Sequence, residues 1–329
     1  MSQISQLVTI IEKIVDKIYI AQFIVAILGI LVNIPHFYIL CHSTMRTSST
    51  NSILISIAIC DLIVLMVVVH DRIKQFWFPI PDFNCSNAVD YFELSQRIGD
   101  LQRDILEQTS FWLGVSLALI RLLIMKLPNS NHLGSSPLFG YVLSMIIFTL
   151  SALISSIVYA TVKIGYFSDS ECPFIPDNLE DTLDIIEFIS GVSQIFISLI
   201  YPALAVFLVS LIRKSTSTVV HTKSSSVLER HRSAKMILIM TMLYVICSAP
   251  CGIMNCLQIV IHGNPVMEAI ITYASVFVSL LFDLNAMSHC LLNFAMSSKY
   301  RETAKLIIKK RNAGVHLTIL AAKPSTSQK

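Results

Sequence analysis

Apolar stretches long enough to cross a membrane recur seven times along the chain, separated by short polar connections. A membrane-spanning α-helix needs roughly 20 mostly apolar residues, and each stretch meets that length. The pattern predicts an all-α membrane protein, a bundle of seven transmembrane helices with no room for a second soluble domain. The predicted spans are Tyr19–Cys41, Asn51–His70, Gln96–Leu127, Leu138–Val162, Leu183–Ile212, Lys235–Ile261 and Pro265–Ala295.

Composition and charge set the orientation of this bundle. Of the residues, 54% are hydrophobic and only 14% are charged, whereas about a quarter are charged in soluble domains. Basic residues concentrate in the connections 42–50, 126–137 and 213–235 and in the tail 296–329, while acidic residues concentrate on the opposite side. Because basic loops stay in the cytoplasm, the N-terminus is predicted outside and the C-terminus inside.

Four parts of the chain follow from this orientation. Residues 1–18 are predicted to be an extracellular N-terminus, and residues 19–295 the seven-helix domain. Residues 296–311 place apolar side chains on one side and basic ones elsewhere, which predicts an amphipathic cytoplasmic helix on the lipids of the inner leaflet. Residues 312–329 are predicted to be a disordered cytoplasmic tail.

The third span is unusual because charged residues run into it from its outer end. Residues spaced three and four apart lie on one face of this helix. Along that face, which we call the stripe, the side chains are charged at the outer end, small in the middle and basic at the inner end. Ionisable groups at membrane depth face a protein interior or a wet cavity. This span is therefore predicted to be the central helix, with a polar cavity at its outer end. The stripe consists of Arg97, Asp100, Asp104, Glu107, Phe111, Gly114, Ala118 and Arg121.

Cys85 and Cys172 are the two of the eight cysteines that lie in predicted loops, both on the outer, oxidising side. We expect a disulfide between them; two free thiols are the alternative. Asn84 begins an Asn-Cys-Ser glycosylation sequon next to Cys85. It is a weak acceptor, and an adjacent disulfide would block it.

Polar residues also lie in the middle of other spans. Asn33 in the first span and Asp61 in the second need partners inside the membrane. Either each packs against backbone on its own, or both share a central polar site with Asp283 and Asn285 of the seventh span. A shared site would suit water or a cation that leaves when the bundle changes shape.

Several short motifs occur in an order that is specific in combination. They are Gly29-x-x-x-Asn33, residues 45–51, residues 57–62, and residues 112–121 followed by Pro128. Together they resemble nematode serpentine receptor class W, a chemoreceptor family of rhodopsin-like G-protein-coupled receptors akin to FMRFamide-type peptide receptors. The resemblance covers residues 20–311.

The resemblance implies a signalling role for Arg121, which contacts the C-terminal helix of the G protein on activation in such receptors. The acidic neighbour that usually precedes it is Ile120 here, and Glu229 is a candidate substitute partner. The alternative is that Arg121 only anchors the helix end in the headgroup region.

At the outer end, the resemblance places Arg103, Asp104 and Glu107 at the depth where such receptors contact ligand, with Asp100 one turn further out. An unpaired acid here would recognise a cationic ligand group, and Arg103 would take a carboxylate. Alternatively, Arg103 and Glu107 neutralise each other as an i,i+4 pair.

Pro202 and Pro250 permit kinks in the fifth and sixth spans. Pro250 ends a Cys-Ser-Ala-Pro segment that resembles the family's Cys-Trp-x-Pro hinge, with Ser248 in place of the tryptophan. Residues 289–293 of the seventh span align with the Asn-Pro-x-x-Tyr motif but differ at its signature positions. The activation residues expected in this span are Asn285, His289 and Asn293.

These observations predict a plasma-membrane receptor of a neuronal or sensory cell that signals through heterotrimeric G proteins, with a short FMRFamide-like neuropeptide as its ligand. One alternative is a chemosensory receptor for an environmental small molecule. Another is a seven-helix transporter or channel that uses the charges of the third span for conduction. We find no nucleophile–base spacing, phosphate loop or metal-ligand cluster, so no enzyme, cofactor, metal or nucleic-acid partner is expected.

Overall fold

The computed structural model describes residues 3–77, 87–126, 136–163, 191–207, 209–211, 225–261 and 265–321. The described residues are almost entirely α-helical. The helices are α1 (Gln3–Leu40), α2 (Ser49–Trp77), α3 (Asn87–Lys126), α4 (Pro137–Lys163), α5 (Gly191–Leu211), α6 (Ser225–Ile261), α7 (Pro265–Met296) and α8 (Ser298–Ala321).

Six of these helices contain stretches that are long and apolar enough to cross a membrane, in α1 to α5 and in α7. Of the remaining two helices, α6 carries the shorter apolar stretch Leu238–Met254. In α1 the apolar span begins at Lys13, so the helix continues outward beyond it as far as Gln3. This architecture confirms the predicted seven-helix bundle.

The third helix is central, as its charge stripe predicts. It packs against α2, α4 and α6. Its residues Phe111 and Val115 enter a core cluster with Tyr201 of α5 and Tyr244 of α6. On its other side, Leu113 and further α3 residues enter a second cluster with α1, α2 and α8. The two cores therefore meet at α3.

Glycines allow two of these contacts to be close. A Cβ atom on Gly140 of α4 would lie 2.4 Å from the carbonyl oxygen of Ser49 in α2, so the two backbones touch. A Cβ atom on Gly114 of α3 would lie 3.2 Å from the hydroxyl of Tyr201 in α5. Only glycine lets the helices approach this far at Gly140.

The eighth helix extends beyond its predicted end. It continues to Ala321, so the prediction of a disordered tail from residue 312 is wrong for residues 312–321. Residues 315–321 contain leucine, isoleucine and alanine, which favour a helix over the polar composition of a disordered segment. The helix is fixed to the bundle where the hydroxyl of Tyr300 lies 3.0 Å from Nδ1 of His36. A second bond joins Thr303 to Thr44, with 3.0 Å between the hydroxyl oxygens.

Several predicted features lie outside the described residues. They are the disulfide between Cys85 and Cys172, the sequon at Asn84, Pro128, and the acidic loop between the fourth and fifth spans.

Candidate functional site

Arg103 joins α3 to α7 in the outer half of the bundle. Its Nε donates a hydrogen bond to Oε1 of Glu107 at 2.6 Å, one turn along the same helix. Its Nη2 donates to the hydroxyl of Ser279 at 2.6 Å across the gap to α7. The same nitrogen lies 3.8 Å from Oδ1 of Asp283, one turn further along α7. Arg103 and Glu107 are therefore paired, which is the i,i+4 alternative that the sequence left open.

The acids around Arg103 differ in exposure. Asp283 is fully buried, whereas Asp100 and Asp104 are exposed at the outer surface of α3 and engage in further interactions of their own. The side chains of Arg103 and Glu107 are 19% and 18% exposed. A polar ligand that reaches them meets one cation and one or more carboxylates.

A second polar site lies deeper, where α2, α3 and α7 meet. Nδ1 of His289 is 2.6 Å from Oδ2 of Asp61. The hydroxyl of Ser110 donates to Oδ1 of the same carboxylate at 3.3 Å. Asn293 donates to the carbonyl oxygen of His289 at 2.8 Å. Asp61 is therefore partnered by an imidazole and a hydroxyl inside the membrane, as a buried carboxylate requires.

Asn33 reaches α7 separately. Its Nδ2 donates to the carbonyl oxygen of Ala286 at 3.3 Å, which fastens α1 to α7. The shared central site predicted from the sequence is thus divided. Asn33 bonds backbone, Asp61 bonds His289, and Asp283 belongs to the outer cluster around Arg103. Of the two alternatives left open by the sequence, the described contacts do not group Asp283 with Asp61.

A cavity of about 20 Å³ borders the deeper site. Its lining includes Ser110, Asn285, His289 and Tyr201. The Oδ1 atom of Asn285 is buried and bonds to none of the described residues. A cavity needs about 10–15 Å³ to hold a water molecule. The cavity therefore suits one water between α3, α5 and α7.

At the inner end of α3, Arg121 forms no ion pair with a side chain that the structure describes, whereas the family pattern that the sequence resembles pairs this arginine with an acid. Ile120 is buried where the acid would be, and within the described part of the chain Nε of Arg121 has no hydrogen-bond partner. The side chain of the candidate substitute, Glu229, lies outside the described set.

The hinge region of α6 differs from the family pattern in a defined way. Ser248, which stands in place of the tryptophan, is fully buried and bonds Ser198 of α5 with 2.6 Å between the hydroxyl oxygens. Pro250 lies inside α6 and Pro202 inside α5. A hydrogen bond therefore holds α5 to α6 next to the proline, where other receptors place an aromatic side chain.

Sequence reasoning missed the serines at these sites. Ser110, Ser198 and Ser279 each supply a hydroxyl that links two helices. A serine in an apolar helix usually bonds its own backbone, so it carries no signal of a tertiary role. His36, the partner of Tyr300, was missed as well. Its polarity at membrane depth was the available signal.

No group of three or more His, Cys, Asp and Glu side chains suited to a metal ion occurs in the described segments of the chain.

Comparison with known proteins identifies one family. The family model described as serpentine type 7TM GPCR chemoreceptor Srw matches residues 20–311. These are the residues over which the sequence resembles the class W receptors, so the resemblance is confirmed. No curated protein matches the chain.

Proposed function

Because the chain belongs to the Srw family of serpentine seven-transmembrane chemoreceptors, we propose that it detects an extracellular small molecule in the outer half of its bundle. It is a G-protein-coupled receptor and not an enzyme, and the family match favours this class over a transporter or channel. The proposal concerns the ligand, the residues that bind it and the path to the G protein.

One observation carries the proposal: Arg103 bonds both Glu107 of its own helix and Ser279 of α7. A ligand that binds Glu107 or Arg103 competes with these bonds, and so changes how α3 is tied to α7. A ligand shifts an equilibrium between two bundle states only by its differential affinity for them. If the ligand replaces a bond between two helices, its affinity differs between the state that has this bond and the state that lacks it. Asp100 and Asp104 are proposed to guide the ligand from the outside.

The path inward runs along α7. Below the outer cluster, His289 ties this helix to Asp61 of α2, and Asn293 continues one turn further towards the cytoplasm. We infer that a shift of α7 changes the position of the inner end of α3, where Arg121 would contact the G protein. Pro202 and Pro250 provide the points at which α5 and α6 bend.

A short FMRFamide-like neuropeptide is the second candidate ligand. The acidic residues between the fourth and fifth spans, among them Asp169, Glu171 and Asp177, favour it, since an acidic outer loop concentrates basic peptides. In either case the proposed location is the plasma membrane, in a sensory cell for an environmental molecule and in a neuron for a peptide.

The test is expression in cells that contain promiscuous G proteins, with intracellular calcium as the readout. Small polar molecules and amidated peptides are applied as two separate libraries. Arg121→Ala is expected to abolish the response, whereas Arg46→Ala, an exposed cytoplasmic arginine between α1 and α2, is expected to retain it. Surface expression is measured for every variant.

Responses to small molecules but not to peptides support the proposal, and the converse selects the peptide. A response that persists in Arg121→Ala at equal surface expression would show that this residue is only an anchor. A wild-type receptor that reaches the surface and answers neither library would contradict both candidates.

A further inference from the structure

An apolar layer joins α1, α2 and α7 in the outer half of the bundle. Ala26, Leu65, Val68 and Ala286 form one buried cluster there. Because α1 and α7 run inward and α2 runs outward, residues before Ala26 and Ala286 and after Val68 lie nearer the outside. The residues one helical turn outward of this layer therefore share a level of the bundle.

All three helices place a polar residue at that level. Gln22 precedes Ala26 by one turn, Arg72 follows Val68 by one turn, and Asp283 precedes Ala286 by one turn. Gln22 and Asp283 are both fully buried. Helix periodicity thus places three polar side chains at one level, one turn outward of the apolar layer.

Many polar atoms of this level have no partner. In the described part of the molecule, both oxygens of Asp283, both polar atoms of the Gln22 amide and Nε of Arg72 are buried without a hydrogen bond. Nearly all buried polar groups in proteins are bonded, because burial without a bond costs free energy. Several orphan atoms at one level therefore indicate a site that another molecule completes.

Among the described acids of this region, Asp283 is the one whose two carboxylate oxygens are both buried without a hydrogen bond. Glu107 accepts the hydrogen bond of Arg103 at 2.6 Å, and Asp71, with one such oxygen, is 23% exposed and lies 3.6 Å from Nζ of Lys74. The contact between Asp283 and Arg103 spans 3.8 Å and includes no hydrogen bond. Arg72 stacks on the ring of Tyr19, with 4.0 Å to its centroid.

The charges of the surrounding helices favour a cation. The described charged side chains of α1, of residues 71 to 107 and of α7 comprise six carboxylates and five cations. The carboxylates are Asp16, Asp71, Asp100, Asp104, Glu107 and Asp283, and the cations are Lys13, Lys17, Arg72, Lys74 and Arg103. The region is therefore net negative, and a positively charged group entering it is attracted.

We propose that Asp283 and Gln22 form a subsite between α1, α2 and α7 for the ammonium group of a small amine. This assignment rests on the proposed receptor function and names the chemical class of its ligand. An ammonium has three N–H donors, and the two oxygens of Asp283 with Oε1 of Gln22 are three acceptors. An ammonium bound to Asp283 competes with Arg103 for this carboxylate, and so perturbs the arginine that ties α3 to α7.

The experiment measures binding to the purified full-length receptor, without a G protein. The probes are butylamine, phenethylamine and tryptamine, each compared with its N-acetyl derivative, which has the same apolar part and no charge. A ligand that binds the folded state raises the unfolding temperature in a concentration-dependent way. At least one amine is expected to do so, and its N-acetyl derivative is not.

Variants assign the effect to the subsite. Asp283→Asn is expected to weaken amine binding at least tenfold, whereas Asp71→Asn, which removes a neighbouring carboxylate that has its own cation, is expected to change it less than threefold. Gln22→Glu adds a negative charge beside Asp283 and is expected to tighten binding. It provides the decisive comparison if Asp283→Asn does not fold.

Three outcomes would overturn the assignment. They are no stabilisation of the wild type by any amine, equal stabilisation by the N-acetyl derivatives, and unchanged affinity in Asp283→Asn or Gln22→Glu. A short peptide with a free N-terminus is titrated in parallel, and stabilisation by the peptide alone would count as the first of these outcomes, with a peptide as the ligand instead of a small amine. Amine binding without any G-protein response would contradict the proposed function and leave the subsite intact.

Discussion

Nδ1 of His289 lies 2.6 Å from Oδ2 of Asp61, so that the seventh helix is tied to the second by a histidine in the centre of the bundle. The family motif aligned here has an asparagine at the position of His289. An imidazole is longer and reaches the carboxylate directly. The packing of α2 against α7 therefore depends on a bond between two ionisable side chains, both largely shielded from solvent.

Replacement of His289 by alanine is expected to destabilise the receptor more than loss of both partners does. His289→Ala leaves Asp61 buried with Ser110 as its remaining described partner, and removing one member of a buried pair costs about 3–5 kcal/mol. In His289→Ala/Asp61→Asn no uncompensated charge remains, so most of the stability is expected to return. Thermal unfolding in detergent measures both variants.

A His289→Ala receptor as stable as the wild type would show that the bond contributes nothing. A double variant less stable than His289→Ala would show that Asp61 is stabilised by other groups.

The outer cluster allows a second test of coupling between charges. Arg103→Met leaves Glu107 without its hydrogen-bond donor and Asp283 without its nearest cation. In Arg103→Met/Glu107→Gln, one of these two stranded carboxylates is neutral. Neighbouring residues in one network couple by about 0.5–3 kcal/mol. We therefore expect the double variant to unfold at a higher temperature than Arg103→Met.

Glu107→Gln alone is the control, because glutamine still presents an oxygen to Nε of Arg103. It is expected to be close to wild type. Strictly additive effects in this cycle would mean that the two side chains do not interact in the folded receptor.

The sequence predicted the seven-helix bundle and the central position of α3, because each depends on apolar length or on charge placement. It failed where depth along a helix decides the partner. Asp283 precedes His289 by six residues, which is about 9 Å along a helix at 1.5 Å per residue. That rise places Asp283 level with Arg103 and His289 level with Asp61.

The tertiary role of Ser279 was beyond sequence reasoning for a different reason. Its hydroxyl bonds Arg103 only because α3 and α7 are adjacent at that level. Pattern and propensity describe one helix at a time and do not fix which faces meet. The pairing of Arg103 with Glu107, by contrast, lies within one helix, and its spacing was sufficient to raise it as an alternative.

Gly140 provides a test of packing between α2 and α4. Gly140→Ala places a methyl group 2.4 Å from the carbonyl oxygen of Ser49. This is a backbone atom, so no side-chain rotation can relieve the clash. Overpacking of this kind costs about 1–3 kcal/mol. The variant is expected to reach the cell surface in lower amounts and to unfold at a lower temperature.

Gly29→Ala is the matched control. Its methyl group would meet Cδ1 of Leu65 at 2.8 Å, but this atom is the end of a flexible side chain that can rotate. A larger effect of Gly29→Ala than of Gly140→Ala would contradict the backbone contact between α2 and α4.

Tyr300 determines how α8 is held against the bundle. Its hydroxyl lies 3.0 Å from Nδ1 of His36 in α1, and burial raises the pKa of this hydroxyl. The residue is 2% exposed, and its ring belongs to the core cluster formed with α1, α2 and α3. Tyr300→Phe removes the hydroxyl but keeps the ring, and is expected to cost about 1 kcal/mol. Tyr300→Ala also removes the packing and is expected to cost about 3–5 kcal/mol.

The reactivity of the Cys290 thiol in α7 measures whether α8 stays packed against the bundle, since this thiol interacts with the Tyr300 side chain. Labelling by a thiol reagent, resolved by site with mass spectrometry, is expected to be several-fold faster in Tyr300→Ala than in the wild type and nearly unchanged in Tyr300→Phe. Leu306→Ala, which shortens a side chain on the exposed face of α8, is the control and is expected to have no effect. Equal labelling rates in Tyr300→Ala and the wild type would show that α8 is held by other contacts, such as Thr303 with Thr44.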